Sequence, residues 1–292
     1  MKFSLIVATK DRYEQLDQLL KSLIAQRYGD FELIIVDQNQ DDRLLPLVQQ
    51  YQHEICIIHT YSEVGLSRAR NKGTEVSKGD IVAFPDDDCF YPPDILSHVH
   101  EFMTRYTRCD GVLGRRLWNE RYIQVNAPTD HPVTVDKFNA TTSANCKKLV
   151  KALFASHNPS PVNSSTMFLR RGSLTAVDGF DETLGLGAGT LWGGGEDVDL
   201  IVRMLKCKFT VYFANHLVVY HPKPDFTDFQ KGYQFGTGMG KVLEKNEYPA
   251  WFKLYHLLRS LSMVPYGIVH GRWRQARYYW AVFRGKWAGW RS

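Results

Sequence analysis

Ile81-Val82-Ala83-Phe84-Pro85-Asp86-Asp87-Asp88-Cys89-Phe90 is the stretch on which the reading of this chain turns. Four apolar residues run without interruption toward three consecutive aspartates, and Tyr91-Pro92-Pro93-Asp94 then opens a helix. The run has the character of a buried strand. The triplet sits at its carboxyl end, where open α/β sheets bind ligands. Adjacent carboxylates repel, and no lysine or arginine flanks these three in sequence. With side chains alternating along a strand, Asp86 and Asp88 share one face and Asp87 takes the other. Two carboxylates on one face suit a hard cation such as Mg2+ or Mn2+, which keeps waters and completes its shell with phosphate oxygens. A solvated acidic turn is the plainer reading of a lone Asp-Asp-Asp; the buried run before it and the helix after it favour a ligand site.

Working outward, residues 3–8, 31–37 and 55–59 also read as strands, the second ending on Asp37. Between them lie helical patterns: one with Leu16, Leu19, Leu20 and Leu23 on a single face, and one opening at Asp41-Asp42. Gly65-Leu66-Ser67 turns into a further helix, with Ser67 as its expected cap. Strands alternating with helices predict an α/β fold with a mostly parallel, doubly wound sheet. Its strand ends collect Thr9, Asp11, Asp37 and residues 86–88 along one edge. Downstream, residues 111–114, 162–169 and 210–219 read as strands, and residues 196–206 as a helix with Val198, Ile201, Val202 and Leu205 on one face. That helix carries the second acidic cluster, Glu196-Asp197-Val198-Asp199. The glycine-rich run before it, with Trp192, reads as a mobile loop. Residues 118–157 are polar and aperiodic, which predicts a long loop or substrate lid.

At 292 residues the chain can bury a large core, as one domain or one domain with an appendage. Its charge is uneven. The segment from Trp251 to Ser292 carries eight Lys or Arg and no acid, while the whole chain is only +5. Five widely spaced cysteines without a Cys-x-x-Cys pair indicate neither a zinc site nor a disulfide framework, and point to a reduced, cytoplasmic setting. The N-terminal apolar run is too short for a signal peptide, and no apolar run reaches the roughly 18–20 residues of a spanning helix.

Read together, these parts resemble the inverting family-2 glycosyltransferases of the GT-A fold. The resemblance covers roughly residues 3–222. Its elements are Ile6-Val7-Ala8-Thr9-Lys10-Asp11-Arg12, Ile35-Val36-Asp37, Gly65-Leu66-Ser67-Arg68-Ala69-Arg70-Asn71, the Asp-x-Asp element Asp86-Asp87-Asp88, Gly179-Phe180-Asp181-Glu182 and Gly195-Glu196-Asp197-Val198-Asp199-Leu200. Each is weak alone; their order and spacing are specific. The resemblance implies a catalytic domain over residues 1–222, with a nucleotide-binding half to about 110 and an acceptor half from 111. It implies that Thr9 and Asp11 wrap the nucleoside, Asp37 binds the base (commonly uracil), and Arg70 faces the nucleotide phosphates. Asp86 contacts ribose or metal, Asp88 ligates Mn2+ or Mg2+, and His221 is a further metal ligand. Asp197 is the general base, and Glu196 helps hold the acceptor. Two departures stand out: Gln38-Asn39-Gln40 after Asp37, where small or hydroxyl residues are usual, and Cys89, where many relatives have another aspartate.

The expected chemistry is transfer of a sugar from a nucleotide-diphosphate donor, a UDP-sugar being favoured. The acceptor is a hydroxyl of a glycan or lipid-linked saccharide, in surface polysaccharide synthesis. A metal offsets charge on the departing diphosphate, and a carboxylate takes the acceptor proton. Trp192 offers a face for sugar stacking or packs as a half-buried core residue. Residues 223–292 read as a helical, basic and aromatic appendage. Leu254, Leu257, Leu258 and Leu261 form one stripe, and Trp273, Ala276, Trp280, Phe283 and Trp287 form a second after a break at Pro265-Tyr266-Gly267. These stripes suit either an anionic inner-membrane surface or packing on the domain or a second copy. No nucleic-acid module is recognisable. Rival readings are a non-catalytic sugar-nucleotide or glycan-binding protein of the same fold, and a membrane-surface scaffold. Retention of both Asp88 and Asp197 weighs against the first.

Overall fold

The computed structural model describes residues 1–118, 162–223 and 225–292. The lid expected over residues 118–157 lies, from 119 onward, outside the described residues. Among the described residues, strands β1 (Phe3–Thr9), β2 (Phe31–Asp37), β3 (Ile57–Tyr61), β4 (Ile81–Ala83), β5 (Gly111–Trp118), β6 (Met167–Arg170) and β7 (Val211–His221) form one sheet in the order β3-β2-β1-β4-β6-β5-β7. β1 to β4 are mutually parallel, and β5 is parallel to β7. β6 alone in this sheet runs against its neighbours. The helices are α1 (Glu14–Ile24), α2 (Leu45–Tyr51), α3 (Leu66–Val76), α4 (Ile95–Arg105), α5 (Arg171–Thr175), α6 (Glu196–Lys206), α7 (Phe229–Lys245), α8 (Ala250–Val269) and α9 (Trp273–Trp290).

Alternation along the strands builds two cores. Phe3, Leu5 and Val7 of β1 face α1, α2 and α4, whereas Ile6 faces α3, α5 and α6; Leu33 and Ile35 against Ile34 and Val36 repeat the division on β2. Each such side chain contributes about 1.5–3 kcal/mol on burial, so both faces hold the strand ends in place. β1 pairs with β2 on one side and β4 on the other, which puts the strand-order reversal at the ends carrying Thr9, Asp37 and residues 86–88.

Several expectations change in detail. β4 stops at Ala83, and Asp86 to Asp88 form a turn closed by the Cys89 amide donating to the Asp86 carbonyl at 3.0 Å. The strand-alternation argument therefore does not apply to them; the turn converges the carboxylates instead. Ser67 lies inside α3, and its hydroxyl donates to the Leu184 carbonyl at 2.6 Å, leaving Gly65 as the cap residue. Only Met167–Arg170 of the segment 162–169 is strand, behind a 3-10 turn at Ser164–Thr166. α8 continues through Pro265 to Val269, is capped by His270, and is followed by Gly271, which is left-handed at φ +66°.

The glycine-rich run ahead of α6 packs tightly and does not behave as a free loop. A Cβ on Gly238 of α7 would fall 1.8 Å from the Gly194 carbonyl oxygen, and one on Gly194 would fall 2.8 Å from the Phe235 ring. The opposite flank of α7 meets α9 along a parallel seam. A Cβ on Gly236 would lie 2.3 Å from the Val282 carbonyl oxygen, and one on Gly289 would lie 2.0 Å from that of Thr237. Ala276 and these α9 glycines turn inward, while Trp273, Trp280 and Trp287 turn outward, so the single stripe expected from sequence is split between two faces.

Candidate active site

The site begins at the ends of β1 and β2. Thr9 is buried at the tip of β1; among the described residues its hydroxyl makes no hydrogen bond of ordinary geometry, though it lies near enough to Asp87 to favour that carboxylate's charge. Asp11 follows in the left-handed region at φ +58°; its amide donates to Asn39 Oδ1 at 2.8 Å and its carboxylate receives Arg43 at 2.8 Å. Asp37 is fully buried. Its Oδ1 accepts the Asn39 amide and Nδ2, both at 2.8 Å, and its Oδ2 meets His59 Nε2 at 3.1 Å. The departure at position 39 thus has a structural job: Asn39 ties Asp37 to Asp11.

The aspartate turn projects into the cleft from β4. His221, the last residue of β7, brings Nε2 to 3.4 Å from Asp86 Oδ2 and 3.2 Å from Asp88 Oδ1. Arg12 holds the other side, 3.0 Å from Asp87 and in contact with Asp88. Asp88 Oδ1 is buried and, among the described residues, has the His221 imidazole beside it but no hydrogen bond of ordinary geometry. Burial opposes ionisation of Asp86, but contact with His221 and the charge of Arg70 hold its pKa below the ordinary value. Burial pushes Asp87 up to about 6 despite Arg12. Burial also disfavours the His221 imidazolium, yet Asp86 outweighs it and keeps the histidine above its usual value. Among the described residues no three His, Cys, Asp or Glu groups close into a protein-only cage. Two carboxylates beside one imidazole are instead the kind of donor set suited to a hard cation that takes few protein ligands and completes its shell with phosphate and water.

Across the cleft, Gly195 at φ +88° turns the chain into α6. The positive helix terminus favours acids there, and the three acids of the first turn take different tasks. Asp199 is fully buried and bound by Arg203 at 2.8 Å, Lys245 at 3.0 Å and Asn246 at 2.9 Å, fixing α6 to α7. Glu196 accepts from Arg70 at 3.1 Å. Asp197 has no ion pair among the described residues; burial and the adjacent Glu196 charge push it up to about 7, against the pull of Arg70. Trp192 is half-buried, with Lys241 Nζ 4.4 Å from its ring centroid and its indole N–H donating to Ser292 at 3.2 Å. One ring face is therefore already covered by a cation.

Arg70 joins the two sides. It is buried on α3 and reaches Glu196 at 3.1 Å, Asp86 at 3.2 Å and the Ser164 hydroxyl at 2.7 Å, over the Phe180 ring at 5.3 Å. Asn71 beside it exchanges two 2.8 Å hydrogen bonds with the Phe180 backbone, which explains the pairing of Arg70-Asn71 with Gly179-Phe180. Arg12, Ser164, His59 and Arg116 were not assigned site roles from sequence. Only Arg12, inside the first motif, carried a signal there.

A family profile described as glycosyl transferase family 2 matches residues 4–174. An uncharacterized glycosyltransferase of Haemophilus influenzae is 38% identical over 90 residues, 30% of each chain. The glucosyl-dolichyl phosphate glucuronosyltransferase of Haloferax volcanii is 38% identical over 100 residues, 32% of this chain and 31% of that protein. The matched stretch thus spans about a third of the length of these curated relatives. Among solved structures, Staphylococcus aureus TarS in complex with UDP-GlcNAc aligns over 97% of this chain and 92% of its own, with TM-score 0.58 and 15% identity. A Pyrobaculum calidifontis mannosyltransferase in complex with GDP-Man and Mn2+ aligns over 96% and 85%, with TM-score 0.64 and 14% identity. The sheet is accordingly that of a GT-A glycosyltransferase, and, with its profile match extending over more than half the sequence, the chain belongs to glycosyl transferase family 2.

Proposed function

We propose that this protein is a metal-dependent, inverting glycosyltransferase. It moves a sugar from a nucleoside-diphosphate donor, a UDP-sugar being favoured, to a hydroxyl of a glycan or lipid-linked saccharide in surface polysaccharide synthesis. One observation carries the reading: Asp197, a half-buried carboxylate without an ion pair among the described residues, lies across Arg70 from the group Asp86, Asp88 and His221. Residues 1–222 form the catalytic part in this reading, and residues 223–292 a helical appendage that buttresses it.

Thr9 and Asp11 flank the nucleoside. Asp37 is assigned to the base, such as uracil; it is fully buried under Asn39 and His59, so the base N–H reaches it by displacing one of these two partners. Asp88, with Asp86 and His221, would hold Mn2+ or Mg2+, which offsets charge developing on the departing diphosphate. Arg70 fixes Asp86 and Glu196 in one frame. Glu196 then meets the acceptor through Oε2, since Oε1 serves Arg70. Asp197 takes the acceptor proton as the hydroxyl attacks. Attack opposite the leaving group inverts the anomeric carbon. Trp192, held by Lys241, walls the acceptor side.

The test is binding of a panel of nucleoside diphosphates to wild type and Asp88→Ala, with Mn2+ and then with EDTA. Metal-dependent UDP binding lost in the variant supports the reading. Preference for GDP keeps the class and overturns the base assignment. Binding to none of them removes the proposed donor site.

The appendage supports attachment to the cytoplasmic face of an anionic membrane. No helix among the described residues is long and apolar enough to span one. Trp251, Leu254, Leu258, Trp273, Trp280 and Trp287 are exposed, and arginines at 272, 274, 277, 284 and 291 lie among the last three. Cosedimentation with phosphatidylglycerol vesicles, absent with phosphatidylcholine and lost in Trp280→Ser/Trp287→Ser, is the expected result. Equal recovery in the supernatant with both lipids sinks this part.

A further inference from the structure

A pocket of about 290 Å3 opens between the end of β5 and helices α7 and α9, lined by Trp118, Phe226, Phe235, Met239, Tyr278 and Val282 among others. It touches both sides of the site. Trp118 is the strand partner of His221. The Phe235 ring packs on Gly194, two residues before Glu196. A ligand filling the pocket therefore ends beside the space between His221 and Asp197.

The lining is mainly aromatic and aliphatic; its polar groups are the Tyr278 and Tyr279 phenols and Lys286, and it includes no carboxylate or amide side chain. Lys286 contributes to the wall, but its ammonium is bonded to Ser260 Oγ at 2.8 Å and the His256 carbonyl at 3.2 Å on α8. The charges nearest the rings are cationic. Arg116 lies 5.7 Å from the Trp118 ring centroid, and Lys231 Nζ lies 5.7 Å from that of Phe235. Arg116 Nε is buried and has no hydrogen-bond partner among the described residues. Its charge also favours the ionised form of Asp86, so it acts on the aspartate turn as well.

Resting on the glycosyltransferase reading, we infer that this pocket takes the apolar chain of a lipid-linked acceptor, with Arg116 receiving the anionic phosphate that joins chain to saccharide. The occupant is a chain and not a glycan, because the walls bury methylenes and offer few groups to hydroxyls. The linkage is anionic because the charges that flank the rings, Arg116 and Lys231, are both cationic.

The experiment uses the full chain and n-butyl, n-hexyl and n-octyl phosphate below their micellar concentrations, with inorganic phosphate and n-octyl glucoside as controls, read by titration calorimetry. Affinity should rise about fourfold per methylene as the chain fills the pocket. Val282→Phe and Met239→Trp each plug it and should flatten that dependence. Two variants are used so that one misfolded protein, recognised by its circular dichroism, does not decide the matter. Arg116→Gln should weaken alkyl phosphates about tenfold and leave octyl glucoside unchanged. No chain-length dependence in the wild type, or an unchanged dependence in both plugged variants, overturns the pocket. Equal binding of inorganic and octyl phosphate shows a free-anion site and overturns it too. Equal losses for phosphate and glucoside in Arg116→Gln overturn the anionic linkage. Nucleoside diphosphate binding with Mn2+, followed in parallel, keeps the two failures apart. If it is present and the chain effect absent, only this inference falls. If it is absent while the chain effect survives, the donor reading falls and the pocket stands.

Discussion

Replacing Arg70 by methionine removes the cation that joins the two halves of the site while keeping much of the side chain's apolar length. Arg70 is buried and its guanidinium serves Glu196, Asp86 and Ser164 at once. Removing one partner of a buried pair costs about 3–5 kcal/mol, because the charges left behind are uncompensated. Against a total stability of about 5–15 kcal/mol, and at about 2–4 °C per kcal/mol for a chain approaching this size, the melting temperature should fall by roughly 6–20 °C. The loss should also depend on pH. Asp197 is pushed up to about 7 in the fold, above the roughly 3.9 of an unfolded aspartate, so its ionisation costs stability progressively between those values. Arg70 is the charge that pulls it back down. Without Arg70 the gap widens, and the variant loses more stability than the wild type as pH rises from 5 to 8. Thermal melts of both proteins at the two pH values give the answer. A gap below about 2 °C, or one identical at pH 5 and pH 8, would refute the role of Arg70 as shared counter-charge.

Other outcomes follow from the same geometry. Asp197→Asn should lower kcat about 10²–10⁴-fold while nucleotide binding persists; in the wild type, kcat/KM measured by nucleoside diphosphate release should rise with pH through about 7, since the base must be ionised. Gly238→Ala sets a methyl 1.8 Å from the Gly194 carbonyl oxygen, so the loop carrying Asp197 must shift; kcat should drop on the order of 10²-fold, out of proportion to any change in melting. Gly285→Ala with Gly289→Ala places methyls 2.2 Å and 2.0 Å from carbonyl oxygens of α7, and overpacking of this kind costs about 1–3 kcal/mol per site; denaturant midpoints that do not move would contradict the seam.

The framework of the fold was legible because its signals are local. β4 is an apolar run with acids just beyond it, β1 and β2 are nearly all apolar, and the bounds of α6 were read correctly from its periodicity. β5 was cut short at Gly114 because Arg115 and Arg116 break the apolar run; the strand continues past an irregularity between Leu113 and Arg115 and borders the cleft, where charge is tolerated. The opening of α2 was set too early because Asp41 holds Arg43 in a local turn, with an ion pair of 2.7 Å. What the sequence could not show is partnership at long range. Arg70 and Glu196 are 126 residues apart, and Arg12 and Asp87 are 75 apart. The triplet looked unpaired because its cation arrives from the other side of the sheet edge. The glycines of α7 carry no local signal, because their reason is close contact with backbone on two sides.

The seam between α7 and α9 also governs what can be cut from this chain. Its two helices meet through bare backbone, so α7 has no side chains of its own to cover the strip at Gly236 and Gly240 once α9 is gone. A shortened protein ending before Trp273 would expose that strip to solvent and leave the support under Gly194 open on its far side. Trimming the last eighteen-residue helix to obtain a minimal catalytic fragment would therefore disturb the loop that presents Asp197. Expression boundaries for this protein belong after α9.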